Sequence, residues 1–316
     1  MSSPPSPSPS PPAGEPKNRK KTFAFLGAST GCGLAALTRA LAEGHTCVAL
    51  CRRPARLTDR FHPAPPPGNL TVLQGDAHDP AAVRRCLLLL LAGASSSSSL
   101  EGEGEGEEGK GERRAAAVVD AVFTSIGSVP VPSRLFALAD PHVCERGAEV
   151  LLGVLRDIAT STSASASASA SGGGGGNGGK KAPLVVAVSS AGVSRFGRDF
   201  PLLAAPVYKS LLRGPHADKR AMEQRIAAED GLRYVIVRPS WLVDGDEEKE
   251  KEKEKEVRVG VEDWEKGVLR RELGWTISRE AVGRWVWERV LRGVGDVGGK
   301  EEEEEEFEGK IVSLTW

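Results

Sequence analysis

The stretch Thr22-Phe23-Ala24-Phe25-Leu26-Gly27-Ala28-Ser29-Thr30-Gly31-Cys32-Gly33 decides how the rest of this chain is read. A short apolar run, Phe23 to Leu26, stops at Gly27. Gly31 and Gly33 then open a segment, Leu34 to Glu43, made almost wholly of helix formers. The pattern predicts a strand, a tight turn and a helix, in that order. The glycines divide the physical work: one permits the sharp turn, one lets the backbone approach a pyrophosphate, and one lets helix and strand pack closely. The helix start presents N–H groups without intrahelical partners and the positive end of a dipole. The turn formed by Gly27, Ser29, Thr30, Gly31, Cys32 and Gly33 therefore suits phosphates.

Gly44-His45 leads into a second apolar run, Thr46 to Cys51, which ends in Arg52-Arg53-Pro54. A glycine-rich turn also serves plain loops, but a strand–helix–strand unit of this size is what grips dinucleotides. An acid about twenty residues past the turn holds a ribose 2'-hydroxyl, whereas arginine accommodates a 2'-phosphate. Arg52 and Arg53 stand there with no acid, so NADP(H) is expected rather than NAD(H). Solvated arginines at a strand end are the plainer reading.

The run Leu70 to Gln74 predicts a third strand ending in Gly75-Asp76, with a helix from about Pro80 to Leu91. Asp76 is placed to accept from the adenine amino group. Capping of the helix by Asp76 or Asp79 is the other reading, and the two are compatible. Ala117 to Thr124 reads as an apolar strand, and the turn Ser125-Ile126-Gly127 behind it belongs beside the nicotinamide half of the cofactor. A crossover helix from about Cys144 to Ile158, a strand at Leu184 to Ser190, a helix running from Pro215 to near Asp230, and a strand at Tyr234 to Pro239 follow. Ile311 to Thr315 reads as a final edge strand. Alternating strands and helices predict an α/β fold with a doubly wound, mostly parallel, Rossmann-type sheet.

With 316 residues, 40% of them hydrophobic, and a formal charge of -1, the chain offers no charge imbalance that points to nucleic acid or a membrane surface. Much of its length is low-complexity sequence that buries too little apolar surface to offset its ordering entropy. Met1 to Lys21 is read as a disordered, Ser/Pro-rich and then basic tail, without the pattern of a secretory or mitochondrial leader. Inserts at Gly93 to Arg114, Ala159 to Lys181, Gly245 to Glu256 and Gly295 to Glu306 are read the same way. Setting these aside leaves roughly 226 residues, one compact domain over residues 22–316. No apolar run approaches the roughly eighteen residues that span a bilayer.

Cys32, Cys47, Cys51, Cys86 and Cys144 are scattered, with no C-x-x-C pair for zinc or redox exchange. Cys47 and Cys51 share a face of one strand and read as buried apolar fillers. A reducing, cytoplasmic setting is expected.

Taken in order, Gly27-Ala28-Ser29-Thr30-Gly31-Cys32-Gly33, Gly75-Asp76, Ser189-Ser190, Lys219 with Glu223, Gly231 to Pro239 and Thr276 to Val282 resemble the atypical short-chain dehydrogenase/reductase superfamily. Within it, the pattern is similar to the NmrA-like NAD(P)-binding proteins. The resemblance runs from Thr22 to Trp316 apart from the inserts. It implies a cofactor at the carboxyl ends of the strands and a small C-terminal substrate lobe. It also implies Lys219 on the nicotinamide ribose hydroxyls. Some members of the family reduce substrates and others only sense cofactor.

Family dehydrogenases place a tyrosine four residues before this lysine. Here that position is Pro215, and neither Tyr208 nor Tyr234 precedes a lysine by four. What remains is Lys219, Ser189 or Ser190 at the strand end to hydrogen-bond a carbonyl, and His216 as a proton donor titrating near neutrality. Tyr208 is a further candidate. Trp241, just past Pro239, is read as a wall of the substrate site, and Trp275, Trp285 and Trp287 as core. Three functions stay open: an NADPH-dependent reductase of a small carbonyl or quinone-like substrate, a non-catalytic NADP(H) sensor acting through a protein partner, and an interaction protein whose disordered segments do the binding.

Overall fold

The computed structural model describes residues 19–88, 118–128, 140–169, 181–206, 208, 210, 212–244, 256–295 and 306–316. Of the expected tail and inserts, residues 1–18, 93–114, 170–180, 245–255 and 296–305 lie outside the described residues.

Eleven strands are described: β1 (Thr22–Leu26), β2 (Thr46–Cys51), β3 (Leu70–Gln74), β4 (Ala121–Thr124), β5 (Leu184–Val188), β6 (Tyr234–Pro239), β7 (Trp241–Val243), β8 (Arg258–Asp263), β9 (Gly267–Arg270), β10 (Thr276–Ser278) and β11 (Lys310–Thr315). The helices are α1 (Gly31–Ala42), α2 (Ala55–Thr58), α3 (Pro80–Leu88), α4 (Val143–Ser169), α5 (Arg213–Ala227) and α6 (Arg279–Val286), the last continuing into a π turn at Trp287–Leu291. Nine strands form one sheet in the order β3-β2-β1-β4-β5-β6-β11-β8-β9, parallel from β3 through β11 and antiparallel thereafter. The strand order reverses beside β1, the place where doubly wound sheets open a ligand crevice. The expected α/β, doubly wound, mostly parallel sheet is what the chain adopts.

Side-chain alternation sorts each strand between two cores. On one face Phe23, Phe25, Cys47, Ala49, Cys51, Phe123, Val186 and Val237 pack with residues of α1, α6 and the π turn. On the other, Ala24, Leu26, Val48, Leu50, Val122, Val185 and Ile236 pack with residues of α3, α4 and α5. Cys47 and Cys51 do share a buried face as fillers. Gly283 explains how closely α1 and α6 approach: a Cβ there would fall 2.5 Å from both the Cys32 oxygen and the Ala35 Cβ.

Four expectations are corrected. β11 is not an edge strand, because β8, which carries Arg258, Glu262 and Asp263, and the four-residue β9 add outside it. α4 does not stop at Ile158 but runs to Ser169. Within that continuation the Thr160 and Ser161 hydroxyls donate back to the Arg156 and Asp157 carbonyls at 2.7 and 2.6 Å. Lys21, counted with the tail, is buried, and its Nζ donates to the Arg292 carbonyl at 2.5 Å. Trp275 is not core: it is 53% exposed just before β10, its carbonyl accepting from Trp241 N–H at 3.2 Å, whereas Trp285 and Trp287 are buried as expected.

Candidate functional site

The turn after β1 is built as a cradle. Gly27 has φ +89°, a left-handed conformation that favours glycine, which turns the chain off the strand. At Gly33 the limit is space: a Cβ would lie 2.6 Å from Ser125 Oγ and 2.7 Å from the Gly27 oxygen. Ser125 holds the turn from the neighbouring strand, its Oγ donating to the Gly27 carbonyl at 2.9 Å and its backbone N–H to the Leu26 carbonyl at 2.9 Å. Ser29 Oγ donates to Cys51 Sγ across 3.8 Å, joining the turn to the end of β2. Thr30 sits at the N-cap of α1 in extended conformation without a capping side-chain hydrogen bond, and the first turn carries no acid. The N-terminal dipole of α1 is therefore uncompensated by the chain, and the cradle fits the diphosphate of a dinucleotide. Cys32 contributes backbone rather than chemistry. Burial pushes its thiol up to about 12 in spite of the helix end.

Arg52 and Arg53 are exposed at the carboxyl end of β2, and neither side chain makes an ion pair or hydrogen bond among the described residues. Asp76 is exposed past β3 and accepts from the His78 backbone N–H at 3.0 Å. Asp79, not Asp76, caps α3, accepting from Ala81 N–H at 2.9 Å. That leaves one Asp76 oxygen facing solvent at the strand end.

Lys219 Nζ donates to the Ile126 carbonyl at 3.0 Å and to the Val188 carbonyl at 2.7 Å. It thus ties together the ends of β4 and β5, where Gly127 is exposed and Ser190 half-buried. Ser190 Oγ donates to the Ala191 carbonyl at 3.0 Å, and the Ser189 hydroxyl is buried. One turn before Lys219, His216 is 3% exposed and packed against Gly192, where a Cβ would come within 2.5 Å of its ring. The Tyr208 ring lies 5.6 Å away and stacks on Phe200 at 4.5 Å. Burial, helped by Arg220, lowers the His216 pKa to about 4.

The residues singled out in the sequence thus gather along the carboxyl ends of β1 through β5. Arg52, Arg53 and Asp76 lie at one end, the glycine cradle is in the middle, and Ser125, Ile126, Gly127, Ser190 and Lys219 lie at the other. His216 stands apart, turned into the Gly192 loop. Sequence reasoning missed Asp218, whose two carboxylate oxygens accept from Cys144 and Glu145 N–H at 3.0 and 2.8 Å and so cap α4 from α5. It missed His78, whose ring bonds the Val143 carbonyl at 2.9 Å, and Arg279, whose stem crosses Gly31. Only Arg279 carried a signal, its place in the Thr276 to Val282 motif.

A family model described as NAD(P)H-binding matches residues 180–291. The Reductase pytE of Aspergillus terreus is 31% identical over 313 residues, 94% of this chain and 98% of that protein. The Oxidase pynE of Aspergillus niger is 32% identical over 285 residues, 86% and 93% of the two chains. Among solved structures, a short-chain dehydrogenase/reductase from Veillonella parvula in complex with NADP superposes with a TM-score of 0.55 at 14% identity, covering 94% of this chain and 95% of that one. ChuY, an anaerobillin reductase from Escherichia coli O157:H7, gives a TM-score of 0.52 at 15% identity, covering 93% and 96%.

The chain belongs to the atypical short-chain dehydrogenase/reductase-like family of NAD(P)-binding reductases. Its cofactor is a nicotinamide dinucleotide. Among the described residues no helix is long and apolar enough to cross a membrane.

Proposed function

We propose that the chain is a cytoplasmic, NmrA-like NADPH-dependent reductase of a small carbonyl or quinone-like compound. The observation that carries the cofactor choice is the pair of exposed arginines, Arg52 and Arg53, free of ion pairs among the described residues beside the glycine cradle. Free guanidinium groups at that strand end match a 2'-phosphate, which needs charge-assisted hydrogen bonds. The cradle from Gly27 to Gly33 would hold the diphosphate, Asp76 the adenine amino group, and Ser125, Ile126 and Gly127 the nicotinamide half. When bound, the reduced nicotinamide supplies a hydride.

The chain's own part is to orient the acceptor and provide its proton. Lys219 brings a cation to the ends of β4 and β5, and Ser190, just past β5, offers a half-buried hydroxyl. His216 is neutral at physiological pH and packed into the Gly192 loop, so in this reading it is a packing residue and not a cationic acid. Titration with NADPH, followed by its oxidation against aldehydes, ketones and quinones, tests the reading. Binding without turnover of any of them would overturn the reductase.

Pro215 in place of the phenol favours a second reading, a non-catalytic NADP(H) sensor acting through a protein partner. NADPH-dependent capture of a specific partner, with no turnover, would support it.

A further inference from the structure

We propose that Arg279 is a diphosphate-binding residue of the cofactor site and that Asp244 is its resting counter-ion, displaced when the cofactor binds. This rests on the assignment of the Gly27 to Gly33 turn as the diphosphate cradle.

Arg279 is the first residue of α6, and its place is fixed from both sides. Ser278, fully buried, caps the helix by accepting Ala281 N–H at 2.9 Å. One turn on, Gly283 is pressed against the backbone of α1. Glu280 also pairs with Arg39 of α1. The Arg279 side chain then lies across the glycine turn, its Cδ 3.1 Å and its Nε 3.8 Å from the position a Cβ would take on Gly31. Gly31 has φ +63°, and it begins the helix whose N-terminus has no side-chain cap and no acid.

The electrostatics make this an odd place for a cation unless an anion joins it. A positive side chain at a helix N-terminus opposes the helix dipole, and here it stands at two N-termini, those of α6 and α1. Its partner among the described residues is Asp244, at 2.7 Å, whose side chain is 94% exposed. An ion pair so open to water holds little energy and is readily exchanged. A diphosphate seated on α1 would offer the guanidinium a denser anion than one solvated carboxylate, with geometry suited to paired hydrogen bonds. The stem of Arg279 would then cover the diphosphate from the side opposite the strands.

The test measures dissociation constants for NADPH, NADH, ADP-ribose and adenosine 2'-monophosphate with the full chain. Arg279→Ala is expected to weaken the first three about 10- to 100-fold, by a similar factor for each because the diphosphate is common to them. Adenosine 2'-monophosphate, which lacks the diphosphate, should be unaffected. Arg279→Lys should restore part of the loss, and Asp244→Asn should tighten binding by removing the competing carboxylate. Because both side chains are at least partly exposed, thermal melts should show all three variants folded. Unchanged affinity for NADPH and ADP-ribose in Arg279→Ala would overturn the proposal, as would a loss that includes adenosine 2'-monophosphate equally. Gly33→Ala tests the cradle separately: if it leaves ADP-ribose binding intact, the cradle assignment itself fails.

Discussion

Glu223 of α5 and Arg238 of β6 meet in a bidentate pair, Nε to Oε1 at 2.9 Å and Nη2 to Oε2 at 2.6 Å, with both side chains all but excluded from water. Arg238 Nη1 also lies 2.9 Å from Glu262 Oε1 of β8, and Ser194 Oγ donates to the other oxygen of Glu262 at 2.7 Å. One guanidinium therefore joins a helix to two strands of the sheet. The pair also fixes the face of α5 that carries Lys219, one turn earlier. Replacing Glu223 by Ala leaves a buried guanidinium with one remaining carboxylate, which should cost about 3 kcal/mol. Urea unfolding would measure the loss, and NADPH titration should show weaker binding as Lys219 shifts. A change below about 0.5 kcal/mol would mean that Glu262 alone satisfies the cation.

His216 makes stability depend on pH in a predictable direction. Its folded-state pKa is lowered from the ordinary 6.5 to about 4, first by burial and then by Arg220. Between those values the unfolded chain binds the proton and the folded chain does not. The contribution is therefore complete above about pH 6.5 and declines as the pH falls toward 4, by roughly 3 kcal/mol over the window. Comparing unfolding of the unmutated chain with His216→Phe from pH 4 to 7.5 isolates this group. A stability difference that stays flat over that range would show that the imidazole is protonated in place.

All five cysteines are buried as free thiols. Burial is the largest cause of the upward shift in each, to about 12 for Cys32 and Cys86 and about 11 for Cys144. Because the thiolate is the nucleophile, Ellman's reagent should titrate none of them quickly in the native protein and all of them in denaturant. A fast native thiol would reveal local opening around it.

The parts of this molecule legible in the sequence are those set by local rules. Gly27 and Gly33 can be read because turn conformation and close packing exclude side chains, and β1, β2, β5 and β6 because buried parallel strands are continuous apolar runs. β7 and β10 are three residues each, and β8 carries Arg258, Glu262 and Asp263, so neither length nor apolarity marks them. The contacts of Arg279 and Asp218 were hidden for another reason. Their partners, Gly31 and the N-terminus of α4, are distant in sequence and are brought near only by helix packing.

Cofactor preference should depend on Arg52 and Arg53. NADPH should bind more tightly than NADH, and replacing both arginines by Ala should narrow the gap by roughly 1 to 3 kcal/mol. Unlike Arg279→Ala, this change should leave NADH affinity almost untouched. Equal affinities for the two cofactors in the unmutated chain would remove the 2'-phosphate assignment.

The missing phenol decides the direction of the chemistry. Oxidising an alcohol requires a base for the hydroxyl proton as hydride leaves, and such catalysis typically contributes about 10² to 10⁴-fold. Pro215 occupies the position in the first turn of α5, where the absent N–H costs nothing. Tyr208 does not replace the phenol: its ring is stacked on Phe200, and burial, with Asp199 nearby, raises its pKa instead of lowering it. Negligible alcohol oxidation with NADP⁺ is therefore expected, even at raised pH, and quinone reduction, which asks less of a protein acid, should be the fastest reaction. Pro215→Tyr should not create an efficient dehydrogenase, because proline also sets the local backbone in the first turn of α5 and the substrate pocket was not built around a phenol there. Brisk oxidation of secondary alcohols by the unmutated chain, followed spectrophotometrically as NADPH formation, would falsify this account and make Ser190 or Lys219 the base to examine first.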